Sequence, residues 1–519
     1  MNGKMNGAES LVRTLLNGDV NVCFANPGTS EMHFVSALDR VEGVRCILGL
    51  FEGVVTGAAD GYYRVAGKPA ATLLHLGPGL GNGLANLHNA KKARSGIVNV
   101  VGEHAGYHIQ YDAPLTSDIE GVARPMSDWV KTSPSSKSIA ADAALAVQAA
   151  RTAPGQIATL ILPADTAWGE ADGAAQVADP APRATVSPQA IADGARALKN
   201  GQSTMLMLGG AALRGKALDW AARIAAKTGC ELMSESANAR FERGAGRAPM
   251  QMLPFLVDPA LAATKNARQM VLVGAKQPIA FFAYPNKPSV LTPEGCEVIK
   301  VAGAEDDLEA ALEALAGEVG ARGTAPLANA PTYQNAAPTG AVTLEAMGAF
   351  FNAMIPDNAI LLDETITSGR TLARDTMGAR PHDWLSIMGG SIGWAMGAAV
   401  GAAIATPERK VIALIGDGSA LYTQQALWTM ARENLDVTVV IFANRAYRVL
   451  VNELSNVGAG KPGPNATSML TLGDPNLDWV MIAKGFGVEA GCATNFDELA
   501  VQFKRGLARH GPYLVELVM

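Results

Sequence analysis

The chain has 519 residues, 49% of them hydrophobic, and this length predicts several domains with large buried cores. Its formal net charge of −6 argues against a nucleic-acid partner, because such proteins concentrate positive charge. No apolar stretch reaches the length of a membrane span and the first residues lack a signal-peptide core, so we predict a cytoplasmic protein without membrane contact. The five cysteines show no metal-type spacing, as is typical of reducing compartments.

Apolar and helix-like segments alternate along the first third of the chain. The apolar runs lie at 22–25, 44–50, 70–76 and 97–101, and the helix-like segments at 30–38, 53–65 and 82–93. This alternation predicts parallel strands joined by helices that cover both faces of a sheet. A similar alternation returns after residue 359, so the chain contains two such units, with a third between them.

Two segments with the composition of linkers divide the chain. Residues 173–188 are rich in alanine, proline and aspartate, and residues 322–341 are rich in alanine, proline, asparagine and threonine. We therefore predict an α/β protein made of three doubly wound parallel-sheet domains. These domains are expected to span residues 1–172, 189–321 and 342–519.

The stretch 411–447 holds the most informative pattern. In order, it contains an apolar run at 411–415, then Gly416, Asp417, Gly418 and Ser419, a helix-like segment at 421–434, and an apolar run at 437–443 that ends at Asn444. We interpret it as strand, tight turn, helix and strand in one βαβ unit. Asp417 and Asn444 then lie at the carboxyl edge of the sheet, where open α/β sheets bind ligands.

Asp417 and Asn444 together predict a site for a hard cation and a phosphate group. A carboxylate and an amide oxygen suit Mg²⁺, which takes oxygen ligands and keeps room for water and phosphate. Gly416 and Gly418 allow the backbone to approach an anion, and the helix after Ser419 directs N–H groups toward it. Ordinary loops also contain Asp-Gly turns and terminal asparagines, so the spacing of the two parts carries the argument.

This segment resembles the diphosphate-binding signature of thiamine diphosphate-dependent enzymes, and is most similar to benzoylformate decarboxylase and acetolactate synthase. As in that signature, 26 residues separate Asp417 from Asn444. The resemblance implies that Asp417, Asn444 and the backbone carbonyl of Ala446 bind Mg²⁺. It also implies that the cofactor is contacted by Gly416, Asp417, Gly418, Ser419, Asn444, Ala446 and Tyr447. Arg445 stands where the family usually has a second asparagine, which changes the loop that covers the cofactor.

A second motif lies in the first unit, where Phe51, Glu52 and Gly53 join an apolar run to a helix of small residues. On the local pattern alone, Glu52 could be a carboxylate at a helix start. The resemblance implies that Glu52 bonds a pyrimidine nitrogen of thiamine diphosphate. That bond promotes loss of the thiazolium C2 proton and forms the ylide, so the cofactor performs the chemistry and the protein positions it.

The same resemblance singles out residues near the substrate. Thr29 occupies the place of a substrate-loop serine, although Thr29 or Ser30 also suits a helix N-cap. His75 follows an apolar run and matches a histidine that transfers protons near neutral pH. His104 follows the next apolar run and could face the same pocket.

On the C-terminal unit, the resemblance assigns cofactor contacts to Gly390 and Ile392. The Gly390 carbonyl would accept a hydrogen bond from the aminopyrimidine, and the Ile392 side chain would support the bent shape of the cofactor. Glu364 and Thr365 lie near a segment that contacts the pyrimidine. One departure concerns benzoylformate decarboxylase, which has a second catalytic histidine in its middle domain, whereas the matching stretch 278–284 has none.

We therefore predict a decarboxylase or carboligase that depends on thiamine diphosphate and Mg²⁺ and acts on a 2-oxo acid. The reaction is expected to pass through the ylide and an enamine, and in carboligation an aldehyde would be the acceptor. Acetolactate synthase is the alternative enzyme. A non-catalytic binding or regulatory relative is the alternative of another class, and the retention of Glu52, Asp417 and Asn444 argues against it. A turn explains Gly209-Gly210 better than a nucleotide does, so we expect no FAD. The family predicts a homodimer or homotetramer with active sites between chains.

Overall fold

The strands gather into three sheets, in a computed structural model that describes residues 5–519. Helices cover the sheets, and nearly all strand pairs are parallel, as the alternation of apolar and helical segments predicts. The predicted α/β fold with three parallel-sheet units is confirmed. No helix within the described residues is both long and apolar enough to cross a bilayer.

The first sheet has six parallel strands in the order β2-β1-β3-β4-β6-β5. Its strands are β1 Val22–Asn26, β2 Arg45–Leu48, β3 Ala70–Leu74, β4 Ile97–Glu103, β5 Trp129–Thr132 and β6 Ile157–Pro163. Its helices are α1 Gly7–Asn17, α2 Met32–Arg40, α3 Glu52–Ala66, α4 Leu76–Ala93, α5 Ile119–Ala123, α6 Ile139–Arg151 and α7 Ala164–Trp168.

The second sheet has five parallel strands in the order β10-β8-β7-β11-β12. Its strands are β7 Thr204–Leu208, β8 Glu231–Ser234, β10 Gln251–Met252, β11 Gln269–Val273 and β12 Glu297–Ala302. Its helices are α8 Pro188–Lys199, α9 Gly215–Thr228, α10 Val257–Thr264 and α11 Leu308–Glu318. The short strand β9, Phe241–Arg243, leaves this unit and joins the third sheet.

The third sheet has seven strands in the order β17-β18-β16-β15-β13-β14-β9, and only the edge pair of β14 with β9 is antiparallel among the described residues. Its other strands are β13 Ala359–Glu364, β14 His382–Ser386, β15 Val411–Gly416, β16 Val437–Ala443, β17 Glu489–Ala493 and β18 Tyr513–Val518. Its helices are α12 Leu344–Met354, α13 Leu372–Asp375, α14 Ala395–Ala405, α15 Asp417–Ala420, α16 Ala426–Arg432, α17 Arg448–Asn456, α18 Pro464–Leu470, α19 Trp479–Gly485 and α20 Phe496–Ala508.

The prediction of one continuous helix at 421–434 is wrong, both in where the helix begins and in its continuity. Helix α15 already begins at Asp417, and a turn separates it from α16. In that turn the backbone N–H groups of Tyr422 and Thr423 bond three residues back, which is tighter than an α-helix allows. The Thr423 hydroxyl also donates to the Gly393 carbonyl, at 2.8 Å, so a contact distant in the sequence bends the chain.

Helices α3 and α14 pack directly on each other and join the first unit to the third in one apolar core. A Cβ atom on Gly61 would lie 2.0 Å from the Ala398 carbonyl oxygen, and one on Gly401 would lie 1.8 Å from that of Ala58. Glycine is therefore required at both positions, because any side chain would force the two backbones apart. The N-terminal and C-terminal units of one chain are thereby held in close contact.

A buried polar cluster lies beside the packed helices. The Asp60 carboxylate pairs with Arg64 and accepts hydrogen bonds from the Ser95 hydroxyl and the Trp394 indole N–H. All of these groups are buried, and a buried charge is tolerated when it is paired and hydrogen-bonded in this way. Because Trp394 stands just before α14, the cluster fixes where that helix begins relative to α3.

Candidate active site

Asp417 stands at the carboxyl edge of the third sheet, directly after β15. Its Oδ1 accepts from the N–H of Gly418, at 2.9 Å, and its Oδ2 accepts from that of Arg445, at 2.6 Å. Burial raises the pKa of the Asp417 carboxyl above its ordinary value. Two backbone donors thus orient the carboxylate, and each oxygen keeps a lone pair for a further ligand.

Asn444 ends the neighbouring strand β16 and lies in the same loop region as Asp417. Its Nδ2 donates to the Ser368 hydroxyl, at 3.2 Å, and its Oδ1 accepts from the N–H of Ala446, at 3.0 Å. Ser368 was not anticipated from the sequence, because it lies 76 residues from its partner. Arg445, which lies between Asn444 and Ala446, has φ +56°. Asparagine adopts this left-handed backbone conformation more readily than arginine.

These residues fit a divalent cation. Within residues 5–519 no lysine or arginine side chain forms a direct ion pair with Asp417, and the charge of Arg445 acts on this carboxylate only from a distance. The same part of the chain holds no group of three or more histidine, cysteine, aspartate or glutamate side chains placed so that they could bind a metal ion together. A cation here would therefore depend on Asp417, the amide oxygen of Asn444, backbone carbonyls such as that of Ala446, and oxygens of a bound anion.

The turn after β15 is open on one side and covered on the other. A Cβ atom on Gly416 would meet nothing within 4 Å, whereas one on Gly418 would lie 2.6 Å from the Tyr447 ring. Burial, followed by the nearby Tyr422 hydroxyl and the Asp417 carboxylate, raises the pKa of Tyr447. Tyr447 therefore covers the Gly418 side of the turn, and space remains at Gly416.

A buried glutamate organises the loop that contains Gly390 and Ile392. The Glu364 carboxylate accepts from the backbone N–H groups of Gly393, Trp394 and Ala395, at 2.5 to 2.9 Å, and from the Ser419 hydroxyl. Burial raises the pKa of Glu364 to about 7, although these four donors oppose the shift. The side chain caps the start of α14 and ties that loop to the turn that carries Asp417.

Glu52 opens α3 and is buried, with 9% of its surface exposed. Asn82 donates to Glu52 Oε2 at 3.0 Å, which restricts the orientation of the carboxylate. The Asn86 side chain donates to the carbonyls of Gly53, at 2.8 Å, and Gly393, at 3.3 Å. The start of the Glu52 helix and the end of the Gly390 loop are therefore neighbours within one chain.

His75 forms a hydrogen-bonded pair with Glu31. The His75 Nδ1 lies 2.9 Å from Glu31 Oε2, which also accepts from the Gly28 N–H. The Ser30 hydroxyl donates to Glu31 Oε1, at 2.5 Å. An Nδ1–H bond to a buried carboxylate orients the imidazole and leaves Nε2 as the atom that exchanges protons.

The sequence did not reveal Glu31 as the partner of His75, although its position in the substrate loop was a usable signal. Gly102 makes room for it, since a Cβ atom there would lie 1.6 Å from Glu31 Oε1. Thr29 is exposed in the 3₁₀ turn Thr29–Glu31, and His104 is half-buried with an Nε2 atom that lacks a hydrogen-bond partner. Across residues 5–519, no hydrogen bond joins Thr29 or His104 to His75.

Two family models match the two ends of the chain. The model for the N-terminal TPP binding domain of thiamine pyrophosphate enzymes covers residues 5–122, and that for the C-terminal TPP binding domain covers residues 369–517. The first match contains Glu52 and His75, and the second contains Asp417 and Asn444.

Named relatives support the same family over nearly the whole chain. A Mycobacterium tuberculosis protein, provisionally named acetolactate synthase large subunit IlvX, is 49% identical over 519 residues, which cover 99% of each chain. The benzoylformate decarboxylase of Pseudomonas aeruginosa is 29% identical over 525 residues, covering 95% of each.

The fold agrees with solved structures. The thiamine diphosphate-dependent 4-hydroxybenzoylformate decarboxylase of Rhodococcus jostii RHA1 superposes with a TM-score of 0.87 at 24% identity, over 99% of both chains. The benzoylformate decarboxylase of Polynucleobacter necessarius superposes with a TM-score of 0.85 at 20% identity, over 99% of both chains. On the family matches and the relatives together, this chain belongs to the thiamine diphosphate-dependent enzymes, whose decarboxylase and acetolactate synthase members it resembles.

Proposed function

We propose that this chain uses thiamine diphosphate and Mg²⁺ to decarboxylate a 2-oxo acid, or to join the remaining fragment to a second carbonyl compound. The observation that carries the proposal is the buried Asp417 carboxylate, which two backbone N–H groups orient toward the sheet edge where Asn444 also lies. Asp417, Asn444 and the Ala446 carbonyl would hold Mg²⁺, and the bound cation would neutralise the diphosphate of the cofactor.

When bound, thiamine diphosphate would supply the carbon nucleophile and the electron sink that decarboxylation of a 2-oxo acid requires. The chain positions the cofactor at its other end. The Gly390 carbonyl would accept a hydrogen bond from the aminopyrimidine, Ile392 would support the ring system of the cofactor, and Glu52 would share a proton with a pyrimidine nitrogen. Glu364 keeps the Gly390 loop in register with the Asp417 turn.

His75 is the proton-transfer residue closest to the substrate in this mechanism. The Glu31 carboxylate holds its Nδ1–H, so that Nε2 gives or takes the proton. The diphosphate would be lined by Gly416, Gly418, Ser419 and Tyr447. Thr29 and His104 would lie on the substrate side.

Acetolactate synthesis is a second candidate, and the 49% identity to the M. tuberculosis relative of that name favours it. The two reactions share every step up to the loss of carbon dioxide and differ in what the remaining fragment meets. Purified protein should release carbon dioxide from at least one 2-oxo acid only when both thiamine diphosphate and Mg²⁺ are added. Product analysis with and without an acceptor aldehyde then separates an aldehyde product from a carboligation product. A protein that binds the cofactor but consumes no 2-oxo acid contradicts the proposal.

The active form is a symmetric dimer or a dimer of dimers, in which Glu52 of one subunit serves the cofactor held by Asp417 of another. Glu52→Gln and Asp417→Ala should each be inactive alone. Co-expressed, they should form mixed dimers with one intact site, and about a quarter of the parental activity should return if subunits pair at random. The alternative is an active site formed within a single chain. It is suggested by Asn86, whose side chain donates to the carbonyls of both Gly53 and Gly393 of the same chain. In that case both halves of each mixed dimer are defective and co-expression restores nothing.

A further inference from the structure

An exposed aromatic cluster of the middle unit lies against the Gly390 loop. The Phe281 ring reaches to 2.8 Å from the place of a Cβ atom on Gly390. Its centroid is 4.8 Å from that of Phe255 and 4.8 Å from that of Phe282. These three side chains are here called the phenylalanine wall. Phe281 and Phe282 belong to the stretch 278–284, which matches the segment where benzoylformate decarboxylase has its second catalytic histidine.

The phenylalanine wall is exposed to an unusual degree for neighbouring aromatic side chains. Phe255, Phe281 and Phe282 are 42%, 48% and 54% exposed. Large apolar side chains that remain exposed together mark a surface that another apolar group covers. The wall borders Gly390, which the proposed function places against the cofactor, so a group that covers the wall would lie beside the cofactor.

The wall is also fixed in position. The backbone of Ala280 bonds that of Ser289, which holds the segment in a hairpin-like turn. Burial and a hydrogen bond to Glu453 of α17 raise the pKa of Tyr284 at the other end of the segment. The segment that carries Phe281 and Phe282 is therefore anchored to its own unit and lies beside the helix that follows the Asn444 loop, so it presents a preformed surface.

The wall offers no group that transfers protons. Between residues 277 and 284 there is no aspartate, glutamate, histidine, lysine or arginine. Proton transfer is thus left to the His75–Glu31 pair on the first unit, and the middle unit contributes apolar contact. Pockets that combine an apolar lining with a few polar groups select ligands by the size and shape of an apolar part.

We propose that the phenylalanine wall binds the side chain of the substrate, and that the substrate is therefore a 2-oxo acid with a branched or aromatic side chain rather than pyruvate. This inference rests on the proposed function, which it makes more specific. A methyl group covers little of a three-ring surface. An isobutyl group covers more of it through apolar contact, and a phenyl group can also stack on a ring at ordinary aromatic distances. Phe281 is then a residue that determines specificity.

The first test measures kcat/KM for pyruvate, 4-methyl-2-oxopentanoate and phenylglyoxylate. Because each methylene in an apolar pocket contributes about 10-fold or more to discrimination, the larger substrates should exceed pyruvate by about 100-fold. In Phe281→Ala this ratio should fall by about 10-fold or more, and Phe281→Leu should retain part of it. Trp168→Ala, which removes an equally exposed aromatic ring from the first unit, should leave the ratio unchanged. If the ratio of kcat/KM for the larger substrates to that for pyruvate is the same in Phe281→Ala as in the parent, the inference is overturned.

A binding measurement separates this inference from the proposed function. Mandelate and lactate carry the phenyl and methyl side chains on a 2-hydroxy acid. Neither has the 2-oxo group at which the reaction would take place. In calorimetric titrations with thiamine diphosphate and Mg²⁺ present, mandelate should bind at least about 10-fold tighter than lactate, and Phe281→Ala should remove the difference. Equal binding of the two by the parent protein overturns the phenylalanine wall as a binding surface, whatever the enzyme turns over. Tighter binding of mandelate without turnover of any 2-oxo acid upholds the wall and contradicts the proposed function.

Discussion

Glu52→Gln should lower kcat by about 10²- to 10⁴-fold while the affinity for thiamine diphosphate changes little. This range is the usual contribution of a positioned general acid or base to the rate, and it corresponds to about 3 to 5 kcal/mol of activation free energy. The amide keeps the size of the carboxylate and one oxygen that can accept the hydrogen bond from Asn82, but it cannot share a proton with a ring nitrogen. Steady-state kinetics and a cofactor titration on the same preparation measure the two quantities.

The matched control is Glu345→Gln, which changes another first-turn glutamate on an exposed helix start in α12. It should leave both kcat and cofactor affinity at the parental level. If Glu52→Gln also retains full activity, Glu52 is only a carboxylate at a helix start and the activation of the cofactor has another source. A variant that loses cofactor binding together with activity would instead place Glu52 among the groups that hold the cofactor.

Asp417→Ala should lower the affinity for thiamine diphosphate with Mg²⁺ by more than about 100-fold. Loss of a residue that merely supports a ligand costs about 10- to 100-fold in metal affinity, and the loss of the anionic ligand itself should exceed that. Dialysis of the parent against a chelator should have the same effect, and Mg²⁺ with the cofactor should reverse it. Calorimetric titration gives the affinities.

The control for this variant is Asp357→Ala, an exposed aspartate that precedes β13 at the opposite edge of the same sheet. It should bind the cofactor as the parent does. Thermal unfolding of Asp417→Ala without cofactor shows whether the variant is folded, and added Mg²⁺ and thiamine diphosphate should raise the Tm of the parent only. Cofactor binding by Asp417→Ala at parental affinity would show that this carboxylate is not a metal ligand.

The position of Asp417 and Asn444 could be predicted because it depends on local geometry. One βαβ unit places the ends of β15 and β16 side by side, and the hydrogen bond from the Arg445 N–H to Asp417 follows from that pairing. The α/β fold could be predicted for the same reason, since alternating apolar and helical segments leave few topologies open.

The supporting residues depend on contacts that no local pattern reveals. Glu31 meets His75 across 44 residues, and Glu364 meets the Gly393 N–H across 29. Both are carboxylates near strand or helix ends, which sequence patterns explain equally well as ordinary caps. The contact of Phe281 with Gly390 joins two units of the chain, and it depends on how those units pack.

Departures from regular helix and sheet were missed for a related reason. The turn between α15 and α16 follows a hydrogen bond from Thr423 to Gly393, which belongs to a different part of the third unit. The strand β9 leaves the middle unit because the edge of β14 offers unpaired backbone groups, and the register joins Phe241 to Trp384. Neither choice is visible in the periodicity of the segments themselves.

The central claim is that Glu52 activates the cofactor. The most direct test measures how fast the thiazolium C2 proton of bound thiamine diphosphate exchanges for deuterium, by acid quench and NMR. It requires no substrate, so it is independent of which 2-oxo acid the enzyme takes. Bound to the parent protein with Mg²⁺, the cofactor should exchange far faster than in free solution, and in Glu52→Gln the exchange should slow by about 10²- to 10⁴-fold with the cofactor still bound. Exchange at the same rate in the parent and in Glu52→Gln would contradict cofactor activation by Glu52.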